Sequence, residues 1–271
     1  MSELDVLLVG AGAMGGAILK GWVARRVTAP ERIVVVDPVP SEAMRRLCGE
    51  HGCALNPSDA DGRRYDAVVY AVKPDILEET MRTGPQAPAG AVRLSVAAGR
   101  TVASISAAAP TGAPVVRVMP NLPVAIGEGV VGLYADESVS APDRATAERL
   151  MEAVGVTVWT ESEDELDALT AVSGSGPAYL FAFVEALAAA GEARGLSADK
   201  AALLARKTII GAAGMLAADS FAPSDLRAAV TSKGGSTAAA LGELLDMETG
   251  LLPLMARAVA AAEKRNKELA R

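Results

Sequence analysis

Seven short β-rich runs punctuate the first 160 residues, and their interiors are apolar without alternation: Asp5–Val9, Ile33–Val36, Ala67–Ala71, Leu94–Ala97, Val115–Val118, Val130–Tyr134 and Thr157–Trp159. A strand with one wet face alternates; a strand that is apolar throughout is covered on both faces, as in a parallel sheet. Helical stretches fall between the runs, at Met14–Arg25, Met44–Glu50, Ile76–Arg82, Thr101–Ala107 and Pro142–Val154. Strand alternating with helix predicts an α/β fold with a doubly wound parallel sheet and right-handed crossovers. After Glu161 no convincing β-rich run follows. Helical stretches are expected near 164–193, 198–219, 224–231, 236–245 and 249–269. Pro177 should kink the first of these. Ser197 suits an N-cap for the second, and Gly195 suits the end of the first. The expected organisation is therefore a Rossmann-type domain over 1–160 and an all-α domain over 161–271.

The turn after the first run reads Gly10-Ala11-Gly12-Ala13-Met14-Gly15. The G-x-G-x-x-G pattern alone is common, but here it follows a strand and opens a helix. In that setting the first glycine permits the tight turn and the second lets backbone approach a pyrophosphate. The third lets the helix pack on the strand, and the helix N-terminus faces the phosphates. This points to a dinucleotide cofactor. Asp37, ending the second run, is placed to accept hydrogen bonds from the adenosine ribose, which favours NADH; Asp-Pro is also a turn signal. Arg45 and Arg46 lie close enough downstream to meet a 2′-phosphate, so NADPH stays open.

Ligands of open α/β sheets lie beyond the carboxyl ends of the strands. Ala71-Val72-Lys73-Pro74 and Ala97-Ala98-Gly99 follow two of the runs and are expected to face the cofactor. Lys73 there is either a site residue or a solvated lysine before a proline turn. Asn121, stiffened by Pro120 and Pro123, is placed to bond a carboxamide or to hold its own turn.

Two runs disturb the helical half. Ser173-Gly174-Ser175-Gly176-Pro177-Ala178-Tyr179 sets glycines and a proline in a helical context, at a cost in stability. Thr231-Ser232-Lys233-Gly234-Gly235-Ser236-Thr237 joins two helices. Its four hydroxyls and the amides of a helix start form a cradle for a carboxylate, where ordinary capping needs only one hydroxyl.

Composition excludes several classes. A net charge of −7 argues against a nucleic-acid or anionic-membrane partner. Cys48 and Cys53 with His51 between them fall short of a tetrahedral metal site, since no other His or Cys exists, and no metal is expected. The apolar stretches Ala178–Ala190 and Ala201–Ala218 are interrupted by Glu185 and by Arg206 and Lys207, and read as buried helices rather than membrane spans. The acidic start, running straight into a strand, is unlike a signal peptide, so a cytoplasmic location is expected. The single histidine disfavours a His-dependent hydroxy-acid dehydrogenase.

The order of these motifs, from Gly-Ala-Gly-x-Met-Gly through Ala-Val-Lys-Pro, Ala-Ala-Gly, Arg-Val-Met-Pro-Asn and Ser-Gly-Ser-Gly-Pro-Ala-Tyr to Thr-Ser-x-Gly-Gly-x-Thr, resembles the pyrroline-5-carboxylate reductases over about residues 5–268. The resemblance implies reduction of the cyclic imine to L-proline with NADPH or NADH. It implies a homodimer built through the helical domain, with larger rings in the family, and an active site completed by a partner's helices. Carried over, Gly10, Ala11, Gly12, Ala13, Met14 and Gly15 would hold the pyrophosphate. Ala71, Val72, Lys73 and Pro74, with Ala98, Gly99 and Asn121, would line the nicotinamide side. Ser232, Lys233, Gly234, Gly235, Ser236 and Thr237 would bind the carboxylate, with the Thr237 hydroxyl near the ring nitrogen and Thr237 and Lys73 as catalytic candidates. Lys233 stands where proline is frequent, and Leu122 where threonine is frequent. A β-hydroxyacid dehydrogenase would need a lysine in the first long helix, and none lies between Thr160 and Ala198. A non-catalytic dinucleotide sensor would leave the carboxylate cradle unexplained.

Overall fold

The computed structural model describes residues 3–60, 63–218 and 221–269. The chain divides into two compact units, Met1–Ser175 with Ala262–Arg271, and Gly176–Ala261. The first helical segment beyond 160 packs with the sheet unit.

The first unit holds an eight-stranded sheet in the order β3-β2-β1-β4-β5-β6-β7-β8. In chain order the strands are β1 Val6–Val9, β2 Ile33–Val36, β3 Ala54–Leu55, β4 Ala67–Tyr70, β5 Val92–Ser95, β6 Val115–Pro120, β7 Gly129–Tyr134 and β8 Gly155–Trp159. The helices are α1 Ala13–Arg25, α2 Glu42–His51, α3 Leu77–Thr83, α4 Val102–Ala108, α5 Ala141–Glu152 and α6 Glu163–Leu169. All pairings are parallel except β6–β7. That exception corrects the all-parallel expectation. The link Asn121–Glu128 is too short for a parallel crossover, which takes a dozen residues or more, so the chain turns back on itself. β3 was not expected: two residues carry no periodicity.

The full burial of β1 and β4 matches their unbroken apolar character. One core layer packs Ile18, Leu19 and Trp22 of α1 with Leu150 and Met151 of α5. The other packs Leu77 and Met81 of α3 with Val102 and Ile105 of α4. The Trp22 indole donates to the Leu150 carbonyl at 2.8 Å, so the largest core side chain also satisfies its one polar atom.

α6 starts on Ser162, whose side chain accepts the Glu165 amide, and its first turn carries Glu163, Asp164 and Glu165. It ties back to the sheet through Arg117 of β6, which is 3% exposed. Arg117 meets Glu163 at 2.8 Å and Asp167 at 3.4 Å. Burial pushes the Asp167 carboxyl up against the opposing pull of Arg117. A carboxyl with a raised folded-state value adds stability that is complete below its unfolded value and is lost as pH rises through the folded one. Asp167→Asn is therefore expected to flatten the pH dependence of the thermal midpoint above the ordinary carboxylate range, where the wild-type midpoint declines more steeply. Melting curves in matched buffers check this.

The helical break comes earlier than Pro177. α6 ends at Leu169, a wide turn covers Thr170–Gly174, and α7 runs over Gly176–Glu192. Pro177 thus sits in a first turn, where its missing N–H costs nothing. Beyond it lie α8 Ala198–Ala218, α9 Pro223–Ala229, α10 Ser236–Leu244 and α11 Leu251–Leu269. Gly195 is left-handed (φ +94°), as expected between α7 and α8.

The second unit exposes much apolar surface, including Phe181 and Leu187 on α7 and Leu203, Leu204, Ile210 and Leu216 on α8. The segments Glu163–Glu192 and Ala198–Ala218 are long and apolar enough to cross a membrane by length and composition, and they are mostly unburied. The expectation that these helices are buried does not hold within the single chain.

Candidate active site

The three motif glycines divide by what surrounds them. Gly10 has φ +89°, and a Cβ there would come within 2.7 Å of the Ala71 carbonyl oxygen. A Cβ on Gly15 would lie 2.1 Å from the Gly10 carbonyl oxygen. Both are required by the fold. Gly12 differs: its φ is −68°, and a Cβ would meet nothing within 4 Å. Nothing within the protein demands glycine at Gly12, whereas a ligand pressed against the backbone would.

Gly12 is also the N-cap of α1 and makes no side-chain capping bond. The first-turn amides thus stay available, and the helix dipole favours an anion in front of them. A crevice of about 350 Å³ opens here, lined by Gly12, Ala13, Asp37, Val39, Ser41 and Ala125 among others. The donor set and the open face above Gly12 fit a pyrophosphate.

Asp37 faces this crevice and holds its walls. One carboxylate oxygen accepts the Ala11 amide at 2.7 Å and the other the Val39 amide at 2.8 Å. Asn56 brackets its backbone, accepting from the Asp37 amide at 2.9 Å and donating to its carbonyl at 2.8 Å. Asp37 thus serves the turn as well as facing the crevice. Ser41, Val39, Ala125 and Asn56 did not emerge from the sequence reading. The Asn56-Pro57 pair and the N-cap position of Ser41 were their available signals. Arg45 and Arg46 are exposed on α2, Arg46 pairing with Glu50 at 3.5 Å.

The other strand-end residues lie where the topology requires. Lys73 is exposed after β4 and precedes the turn Pro74–Ile76. Ala97 is buried after β5, and Gly99 is left-handed (φ +67°). Asn121 holds its own turn. It is 7% exposed; its Oδ1 accepts the Val130 amide at 2.9 Å and its Nδ2 donates to the Ser173 carbonyl at 3.0 Å. Asn121 thereby ties the turn after β6 to the wide turn at Thr170–Gly174.

In the second unit the run at 231–237 forms a turn into α10. Gly234 is left-handed (φ +73°), and a Cβ on Gly235 would lie 2.4 Å from the Ser232 hydroxyl oxygen. Gly235 is the N-cap and makes no side-chain capping bond. Of the four hydroxyls, Thr231 is committed to the Arg227 carbonyl at 2.6 Å. Ser232, Lys233, Ser236 and Thr237 are exposed beside the uncapped helix start. His51 ends α2 and lines a separate groove with Arg26 and Arg149. Cys48 and Cys53 are buried thiols, Cys53 being pushed up to about 11 chiefly by burial, which makes it a poor nucleophile. Among the described residues, no group of three or more His, Cys, Asp or Glu side chains is placed to hold a metal ion.

Comparison with known proteins bears on the whole chain. Residues 163–269 match the family model described as pyrroline-5-carboxylate reductase dimerisation, and residues 5–99 match the one described as NADP oxidoreductase coenzyme F420-dependent. A pyrroline-5-carboxylate reductase of Pseudomonas aeruginosa is 38% identical over 272 residues, covering 100% of this chain and 98% of that protein. One from Vibrio alginolyticus is 35% identical, covering 99% and 98%. The solved pyrroline-5-carboxylate reductase of Coxiella burnetii superposes with a TM-score of 0.87 at 33% identity, covering 100% of both chains. A Plasmodium falciparum pyrroline carboxylate reductase structure with NADP bound shares the fold, with a TM-score of 0.80 at 24% identity over 100% of both chains. By its motifs, its fold and this full-length similarity, the chain belongs to the pyrroline-5-carboxylate reductase family.

Proposed function

We propose that this chain reduces 1-pyrroline-5-carboxylate to L-proline with NADH or NADPH, the last step of proline biosynthesis. The observation that carries the reading is Gly12, which is a glycine with open space above it at an uncapped helix start. When bound, the dinucleotide supplies the hydride that reduces the imine carbon. The ring nitrogen takes one proton from solvent before or during that step, so the C=N bond becomes CH–NH and the charges balance. Such a substrate needs no histidine base, in keeping with the position of His51 away from the crevice.

The chain's own contribution is binding and orientation. Gly10 to Gly15 hold the pyrophosphate against the α1 amides. Ala71 to Pro74 and Ala98–Gly99 line the nicotinamide side, with Lys73 beside the reacting ring. The amides at Gly234 and Ser236, with the Ser232 and Thr237 hydroxyls, donate to the substrate carboxylate, while the Gly235 amide, expected there too, is held by the Ser232 carbonyl at 3.1 Å; Thr237 orients the ring nitrogen. Lys233 adds a positive charge to that cradle. The expected Rossmann domain, 1–160, and the helical substrate and dimerisation domain, 161–271, are the functional halves of this scheme. The helical half pairs two copies of the chain, and rings of such dimers are the larger assembly. The dimerisation model that matches this region supports a protein partner over lipid for the exposed apolar faces on α7 and α8. The location that suits this activity is the cytoplasm.

Asp37 supports NADH over NADPH, since a 2′-phosphate would meet its carboxylate. Asp37→Asn keeps an acceptor for the Ala11 amide while removing the charge. It is expected to shift the ratio of kcat/KM for NADPH over NADH upward by about tenfold, or about 1.4 kcal/mol. Initial rates with each cofactor measure this.

The reading is tested by mixing purified protein, pyrroline-5-carboxylate and NADH or NADPH. Substrate-dependent loss of nicotinamide absorbance is expected; none above background would overturn it.

A further inference from the structure

Two loops that leave the carboxyl edge of the sheet are joined by one side chain. Arg100, just past Gly99, donates to the Pro74 carbonyl from Nε at 3.0 Å and from Nη2 at 2.8 Å. Its Nη1 pairs with Glu78 of α3 at 3.3 Å. The Pro74 carbonyl also accepts the Leu77 amide that closes the turn after Lys73. Three donors converge on one oxygen, which sets the orientation of that peptide and of the turn Lys73 begins.

The loop carrying Arg100 is itself held on its other side. The Val102 amide donates to Glu163 at 2.8 Å, the same carboxylate oxygen that receives Arg117. Gly99 lies against the chain end: a Cβ there would approach the Leu269 carbonyl oxygen to 2.8 Å. A loop braced by Glu163 and by Leu269 is a firm anchor, and Arg100 extends that anchor to the loop after β4. Arg100 is only partly buried, with 30% of its side chain exposed, so it is no core element. A charged side chain that places two donors on one backbone carbonyl at a sheet edge acts on loop geometry more than on packing.

We infer that Arg100 is a positioning residue for the reaction: it locks the Lys73–Pro74 turn to the Ala98–Gly99 turn so that the two form one wall for the nicotinamide half of the cofactor. The inference rests on the reading under Proposed function that these loops line the dinucleotide. It assigns Arg100 no contact with substrate.

The experiment compares Arg100→Gln, Arg100→Lys and Glu78→Gln with wild type in kcat, in KM for each substrate, and in NADH and NADPH affinity by fluorescence titration. Arg32→Ala is the stability control. It breaks the pairs of Arg32 with Glu3 at 2.7 Å and Asp5 at 2.8 Å, remote from the strands' carboxyl ends. Arg100→Gln is expected to raise KM and Kd for the dinucleotide about tenfold, with KM for pyrroline-5-carboxylate changed by less than about twofold. Arg100→Lys, keeping one donor for the Pro74 carbonyl, should recover most of that loss, and Glu78→Gln should show a smaller version of it. The inference is overturned if Arg100→Gln leaves dinucleotide KM and Kd within about twofold of wild type. It is equally overturned if Arg100→Gln affects both substrates alike, in proportion to a fall in melting temperature that Arg32→Ala reproduces. Gly12→Val in the same titrations separates the two readings. If it weakens dinucleotide binding while Arg100→Gln does not, Arg100 has no positioning role and the cofactor site stands. If neither weakens binding, the cofactor reading falls and this inference falls with it.

Discussion

Gly12→Val is expected to cost the protein its cofactor while leaving its fold intact. The Gly12 backbone has an ordinary φ, and a Cβ there would meet no protein atom within 4 Å. Valine would stand in the space above the α1 amides, where the pyrophosphate is expected. A loss of about 2 kcal/mol or more, some thirtyfold in Kd for NADH and NADPH, should follow with little change in melting temperature. Gly10→Ala should behave in the opposite way. There the left-handed backbone alone costs about 1–2 kcal/mol, and the Ala71 carbonyl 2.7 Å from the new Cβ adds to it. A chain of this size should melt several degrees lower, at about 2–4 °C per kcal/mol. Titration and melting on the two variants together tell a ligand-facing glycine from a structural one. Weakening by neither would mean that the turn binds no dinucleotide.

Phe181→Asp with Leu204→Asp is expected to separate the chain into monomers. Both side chains are about half exposed, Phe181 on α7 and Leu204 on α8, among other bare apolar residues. Covering each in a pair of chains would contribute about 1.5–3 kcal/mol. An aspartate at each position would have to be desolvated for the pair to form, so the change should far exceed what a dimer tolerates. Sedimentation velocity should show a dimer or larger species for wild type and a monomer for the double variant. A variant sedimenting like wild type would show that this face is not the dimer contact.

Much of the sheet unit was legible because its signals are local. Unbroken apolar runs such as Ile33–Val36 meet no polar competition, and the strand there is as expected. β5 came two residues early, at Val92–Ser95, because Arg93 looks polar in sequence. In the structure its guanidinium is buried and donates to the carbonyls of Ala91 and Ala87. The reversal of β7 was hidden because nothing in Val130–Tyr134 encodes direction; the short preceding link decides it. The helical unit was legible as helices but not in its burial. Apolar faces on α7 and α8 look the same in sequence whether covered by their own chain or by another. At the site, Gly10, Gly12 and Gly15 were visible as a spacing. That Asn121 donates to the Ser173 carbonyl depends on a contact across more than fifty residues of chain, which no local pattern carries.

The most direct test of the central claim is the product itself. Purified protein supplied with pyrroline-5-carboxylate and limiting NADH or NADPH should form L-proline in one-to-one ratio with cofactor oxidised. Dinucleotide binding without proline formation, or cofactor oxidation that yields no proline, would contradict the account.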